Sequence, residues 1–198
     1  MPLVYSVFVP HPPILVPEIG RGEENKCPET LKAYRTIAKN LVDARVDTIL
    51  LISPHARLLR DGVTILGDEE LKGDFAQFRA PQVKFSFPCA QELAKALANG
   101  LPGGVLYSAG LDHGAMVPLY FLREAGWQGN LVVMSMPYEN PEKYGEIIKD
   151  ILKNYSKRLG LVASGDLSHR LKPDGPYGLH PSGPKFDAQI YQALKRDP

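Results

Sequence analysis

Apolar and polar positions along this chain alternate between two periods. Leu3–Val9 is a β-branched and aromatic run of strand length, closed by Pro10. Pro28–Ala44 has the helical period. Pro28 suits the first turn, Glu29 complements the dipole, and Leu31, Tyr34, Ile37, Ala38 and Leu41 fall on one face. Thr48–Ile52 is a continuous apolar run, as expected of a strand buried on both faces. A short strand follows at Gly62–Leu66, while Glu69–Gln82 keeps no clean period and supports no assignment. Helices are predicted over Pro88–Ala98, Val117–Ala125, Pro141–Ser156 and Pro184–Leu194, and strands over Val105–Tyr107, Leu131–Met136 and Leu159–Ala163. Strands alternate with helices, and most strands are apolar throughout. The expectation is a single α/β domain over residues 1–198, with a mostly parallel or mixed central sheet flanked by helices.

Composition narrows the function. The formal net charge is +1 and the Lys and Arg residues form no stripe, so no electrostatic footprint for nucleic acid exists. No apolar run reaches the ~18 residues of a membrane span. Met1–Pro13 lacks the basic region and cleavage site of a signal peptide. Cys27 and Cys89 are isolated from each other, which favours inert thiols and a reducing, cytoplasmic setting. The 18 glycines and 18 prolines are an excess for a globular chain. Many of them flank histidines.

Four of the five histidines follow predicted strands closely. His11 stands in Pro10-His11-Pro12-Pro13 and His55 in Ser53-Pro54-His55. His113 stands in Leu111-Asp112-His113-Gly114 and His169 in Ser164-Gly165-Asp166-Leu167-Ser168-His169. None falls within a predicted helix. Ligands in open α/β sheets sit beyond the carboxyl ends of strands. Parallel neighbours would therefore bring the four imidazoles to one rim. Such a cluster suits a transition metal or an acid–base centre. Asp112 and Asp166 precede histidines and could orient their rings. His180 follows no strand and reads equally as a turn residue or a site residue. Glu139 and Glu18 read first as solvated residues, although their positions allow them to reach the rim. No serine-hydrolase elbow, Walker loop, dinucleotide fingerprint or His-Glu-x-x-His helix is present.

The histidine segments, together with Leu111-Asp112-His113-Gly114-Ala115-Met116-Val117-Pro118-Leu119, resemble the class III extradiol ring-cleavage dioxygenases, the proteins similar to the catalytic B subunit of protocatechuate-type enzymes. His180-Pro181-Ser182-Gly183-Pro184 followed by Phe186-Asp187 is closest to the AmmeMemoRadiSam-associated subgroup, which travels with AMMECR-type, Memo-type and radical-SAM proteins. The resemblance implies Fe(II), or alternatively Zn(II) or another divalent transition metal, on His11 and His55. It implies catalytic roles for His169, as acid and base, and for His113, beside substrate or oxygen. His180, Asp112 and Ser168 are the expected substrate contacts. The reaction implied is insertion of O2 into a catechol-like substrate. A homo-oligomer and an AMMECR-type domain or protein are the implied partners. The third metal ligand of the family, a glutamate or cysteine, is expected after His180, where only Asp187 and Asp197 are acidic. Three readings stay open: the domain is cut short and its chain continues, His169, His180 or Glu139 completes the site, or the chain binds metal poorly. The last favours a different class, a non-dioxygenase member that binds a metal or ligand beside those partner proteins. A third class is hydrolysis by a zinc-bound water.

Overall fold

The computed structural model describes residues 2–196. In chain order the elements are β1 (Leu3–Val9), α1 (Pro17–Gly20), α2 (Pro28–Asp43), β2 (Thr48–Ser53), β3 (Val63–Leu66), β4 (Glu70–Phe75), β5 (Ala80–Pro88), α3 (Gln91–Gly100), β6 (Gly103–Leu106), α4 (His113–Glu124), β7 (Asn130–Ser135), α5 (Pro141–Leu152), β8 (Leu159–Ser164) and α6 (Ser182–Arg196). Asp197 lies outside the described residues. The chain divides into two compact units, Met1–Gly165 and Asp166–Pro198.

The first unit is built on a mixed six-stranded sheet of order β1-β8-β2-β7-β3-β6, so the α/β expectation holds. Strands β1, β8, β2 and β7 run parallel, with a register shift in β1 between Leu3 and Tyr5 and with Leu50 opposite both Val132 and Leu161. The central runs Ile49–Leu51 and Leu131–Met134 are fully buried, which explains why they carry no polar alternation. Helices α2 and α4 pack together over β1, β2 and β8, and α3 packs against β3, β6 and β7 and pairs with α5.

Three points of the sequence reading are completed or corrected. First, Glu69–Gln82, which supports no assignment from sequence, is regular structure. It contains β4 and the start of β5, an antiparallel hairpin joined by a short 3-10 turn at Ala76–Phe78. Its buried side chains alternate (Val83, Phe85, Phe87), and Pro88 ends β5 instead of opening a helix. Second, β6 does not run with the strands that precede His11 and His55. It pairs parallel with β3, and β3 meets β7 antiparallel, so β6 ends at the opposite edge of the sheet. Third, α4 begins at His113 and not at Val117, so one histidine does lie in a helix. The Asp112 carboxylate caps it, with Oδ1 accepting from the Ala115 amide at 3.1 Å. Pro118 sits inside this helix and does not stop it.

The second unit folds a loop onto the start of α6. Asp187 Oδ1 accepts from the Ser168 amide at 2.8 Å, and the His180 amide donates to the Arg170 carbonyl at 3.1 Å. Gly183 is buried there. A Cβ would stand 2.6 Å from the Arg170 oxygen and 2.7 Å from Ser168 Oγ.

Neither cysteine is in a disulfide; Cys27 is half-buried and Cys89 buried. Burial pushes the Cys89 thiol above its ordinary value. The expected result with a disulfide exchange reagent at pH 8 is that Cys27 reacts in the folded protein. Cys89 should react about tenfold more slowly or only on unfolding, because thiolate and access are both required. Mass mapping of the labelled cysteine checks this. Among the described residues no helix is long and apolar enough to cross a membrane.

Candidate functional site

Strands β1 and β2 both end at the same rim, since each pairs in parallel with β8. Their exits place His11 and His55 side by side. His11 Nε2 and His55 Nε2 lie 2.9 Å apart, and the rings meet edge to face at 88°. His113 arrives differently. The connection after β6 is tied down by the Leu111 amide, which donates to the Lys72 carbonyl at 2.7 Å, and delivers His113 on the first turn of α4. Its ring centroid is 3.9 Å from that of His55 and 5.6 Å from that of His11. Among the described residues these three form the group of potential ligands, with one donor atom from each lying within 4.8 Å of the others. His11 is buried, His113 half-buried and His55 exposed, so the cluster is open on one side.

Two buried serine hydroxyls flank the histidines, one on the His55 backbone and one on the His11 ring. Ser53, the last residue of β2, is fully buried. Its Oγ donates to Asp112 Oδ1 at 2.6 Å and accepts from the His55 amide at 3.2 Å. Ser164, the last residue of β8, donates from Oγ to the Gly114 carbonyl at 2.6 Å and lies 3.0 Å from His11 Nδ1. Gly114 is required by close approach. A Cβ there would be 2.5 Å from Ser53 Oγ and 3.2 Å from His55 Cδ2. Phe78, on the hairpin turn, presents its ring to His113 at 5.4 Å and 67°.

The donor set fits a divalent transition metal. Two imidazole nitrogens bound at about 2.0–2.1 Å span about 2.9 Å at a right angle and about 3.3 Å at the tetrahedral angle; the His11 and His55 Nε2 atoms, at hydrogen-bonding distance of 2.9 Å, stand at the short end of that range. Neutral imidazoles suit Fe, Zn, Cu or Ni. His113 stands beside this pair, with its ring tilted 37° to that of His55.

The remaining candidates are placed as follows. Asp112 Oδ1 accepts from the Ala115 amide at the α4 cap and from Ser53 Oγ. Glu139 forms an exposed ion pair with Arg60 at 3.8 Å. Glu18 is on α1 beside Tyr120. Burial, and then this carboxylate, push the Tyr120 phenol up to about 12. In the second unit, His169 Nε2 is 3.3 Å from Asp166 Oδ2 and its ring lies 5.5 Å from that of Tyr177. His180 Nδ1 accepts from the Ser182 amide at 3.2 Å, and Ser168 Oγ accepts from the Arg170 amide. Sequence reasoning gave no role to Phe78, Ser53 or Ser164. A buried small hydroxyl closing two otherwise apolar strands was the available signal for the serines.

The family model "Catalytic LigB subunit of aromatic ring-opening dioxygenase" matches residues 5–198. A protein of Clostridium acetobutylicum, Protein CA_C1420, is 34% identical over 205 residues, covering 95% of this chain. The chain spans 44% of that relative's length.

Proposed function

Because the chain belongs to the family of catalytic LigB subunits of aromatic ring-opening dioxygenases, we propose that it is a metal-dependent dioxygenase. It would hold Fe(II) on His11 and His55 and open a catechol-like ring with O2. The observation that carries this reading is the 2.9 Å separation of the two Nε2 atoms. When bound, the ion supplies Lewis acidity toward a diol hydroxyl. His113 and the Phe78 edge beside it would line the approach of a planar substrate. His169 would accept the second hydroxyl proton and return it later, as general base and then acid. Asp112, Ser168 and His180 are the proposed substrate contacts. Both oxygen atoms of O2 end in the ring-opened product, so no outside reductant is consumed.

The test is anaerobic loading with Fe(II), followed by catechols and air, with ring-cleavage absorbance followed over time. Turnover is expected with Fe(II) and O2 and none under nitrogen. His169→Ala is expected to lower turnover by about 10²–10⁴-fold, the usual worth of a positioned acid–base group, with metal affinity unchanged. A chain that binds the metal and turns over no diol would contradict the dioxygenase reading and favour a ligand-binding role beside AMMECR-type proteins. Zn(II)-dependent hydrolysis under nitrogen would favour the hydrolase.

A further inference from the structure

We propose that Pro118 and Ser164 form a relay that sets the tautomer of His11, with Pro118 as a positioning residue two steps from the ring. In an α-helix the amide of residue 118 would donate to the carbonyl of residue 114. Proline has no amide hydrogen, and its ring pushes that carbonyl aside. The Gly114 carbonyl is thus left for a donor from outside the helix, and Ser164 Oγ donates to it at 2.6 Å. A carbonyl only accepts, so this bond takes the one hydroxyl hydrogen of Ser164. Toward His11 Nδ1, at 3.0 Å, Ser164 Oγ can then only accept. That requires Nδ1 to carry the proton and leaves the Nε2 lone pair on the side that faces His55 Nε2. Ser164 is buried and His11 is 3% exposed, so water is poorly placed to take over either bond. The proline inside a helix that is otherwise buried over Gly114–Leu122 gains a reason: it directs a carbonyl.

The inference about tautomer stands on the hydrogen bonds alone; its consequence for metal affinity rests on His11 being a ligand. Two readouts separate them. Long-range nitrogen–proton correlation NMR of the metal-free chain reports which nitrogen of His11 carries hydrogen. The parent is expected to show the Nδ1–H form. Ser164→Ala removes the acceptor, and Pro118→Ala supplies an amide that draws the Gly114 carbonyl back into the helix and frees the Ser164 hydroxyl to donate to Nδ1. Both are expected to raise the Nε2–H population. Ser164→Thr, which keeps the hydroxyl, should restore the parent form. Zn(II) affinity by calorimetry is expected to fall about 10–100-fold in Ser164→Ala and about tenfold in Pro118→Ala, the usual cost of losing an outer partner of a ligand histidine. Pro118→Ala should at the same time raise the melting temperature, because proline is a poor helix former. A purely structural role for Pro118 would not couple a more stable helix to weaker metal binding. A parent-like tautomer in either alanine variant overturns the relay. A shifted tautomer in a chain that never binds Zn(II) upholds the relay and overturns the metal reading.

Discussion

Replacing His55 by alanine is expected to lower Zn(II) or Fe(II) affinity by more than about a hundredfold, while the melting temperature stays close to that of the parent. Losing an outer partner of a ligand already costs about 10–100-fold, and losing the donor itself should cost more. His55 is the cleaner of the two ligand probes because its side chain is exposed. Removing it leaves no cavity, so stability should change by less than about 0.5 kcal/mol. His11→Ala would remove a buried ring and strand Ser164 Oγ beside the gap, mixing a folding defect into the binding defect. Calorimetric titration under nitrogen, paired with thermal melts, separates the two quantities. Parent-like affinity in His55→Ala would remove His55 from the ligand set.

Gly114→Ala is expected to damage the centre with little loss of stability. The added Cβ meets Ser53 Oγ at 2.5 Å, Asp112 Oδ1 at 2.9 Å and His55 Cδ2 at 3.2 Å. The first two atoms are hydrogen-bonded to each other, so neither moves without breaking that bond. His55 must shift with them, since its amide donates to Ser53 Oγ. Overpacking of this kind costs about 1–3 kcal/mol. A helical alanine in place of glycine returns up to about 1 kcal/mol. The net change in stability should therefore be about 0–2 kcal/mol, against a fall in metal affinity of about 10–100-fold. Thermal melts and calorimetry on the same preparation check both. Unchanged affinity would show that Ser53 and Asp112 do not position His55.

Much of this arrangement is legible in the sequence. The runs that became β1, β2 and β8 stand out because apolar residues bounded by Pro or polar residues have few other uses. Their ends carry His11 and His55, which meet at one rim because β1 and β2 both pair in parallel with β8. The direction of β6 was not legible, because Gly103–Leu106 says nothing about which neighbour it pairs with. His113 nevertheless reaches the cluster, carried by the capped start of α4 instead of by a strand end. Pro118 hid that start, since proline is ordinarily read as a helix boundary. The β4–β5 hairpin was obscured by Gly73 and by the turn at Ala76–Phe78, which interrupt its two-residue period. The roles of Ser53 and Ser164 depend on partners 59 and 50 residues away, a juxtaposition that only the folded sheet creates.

The central claim is that His11 and His55 form a metal centre at the carboxyl end of the sheet. X-ray absorption at the iron edge of the anaerobically loaded chain tests it most directly. The predicted result is one ion per chain, with imidazole scattering from at least two nitrogens at about 2.0–2.2 Å that drops by one nitrogen, or is lost with the ion, in His55→Ala. Iron held in an all-oxygen shell, or an unchanged imidazole signature in His55→Ala, would contradict it.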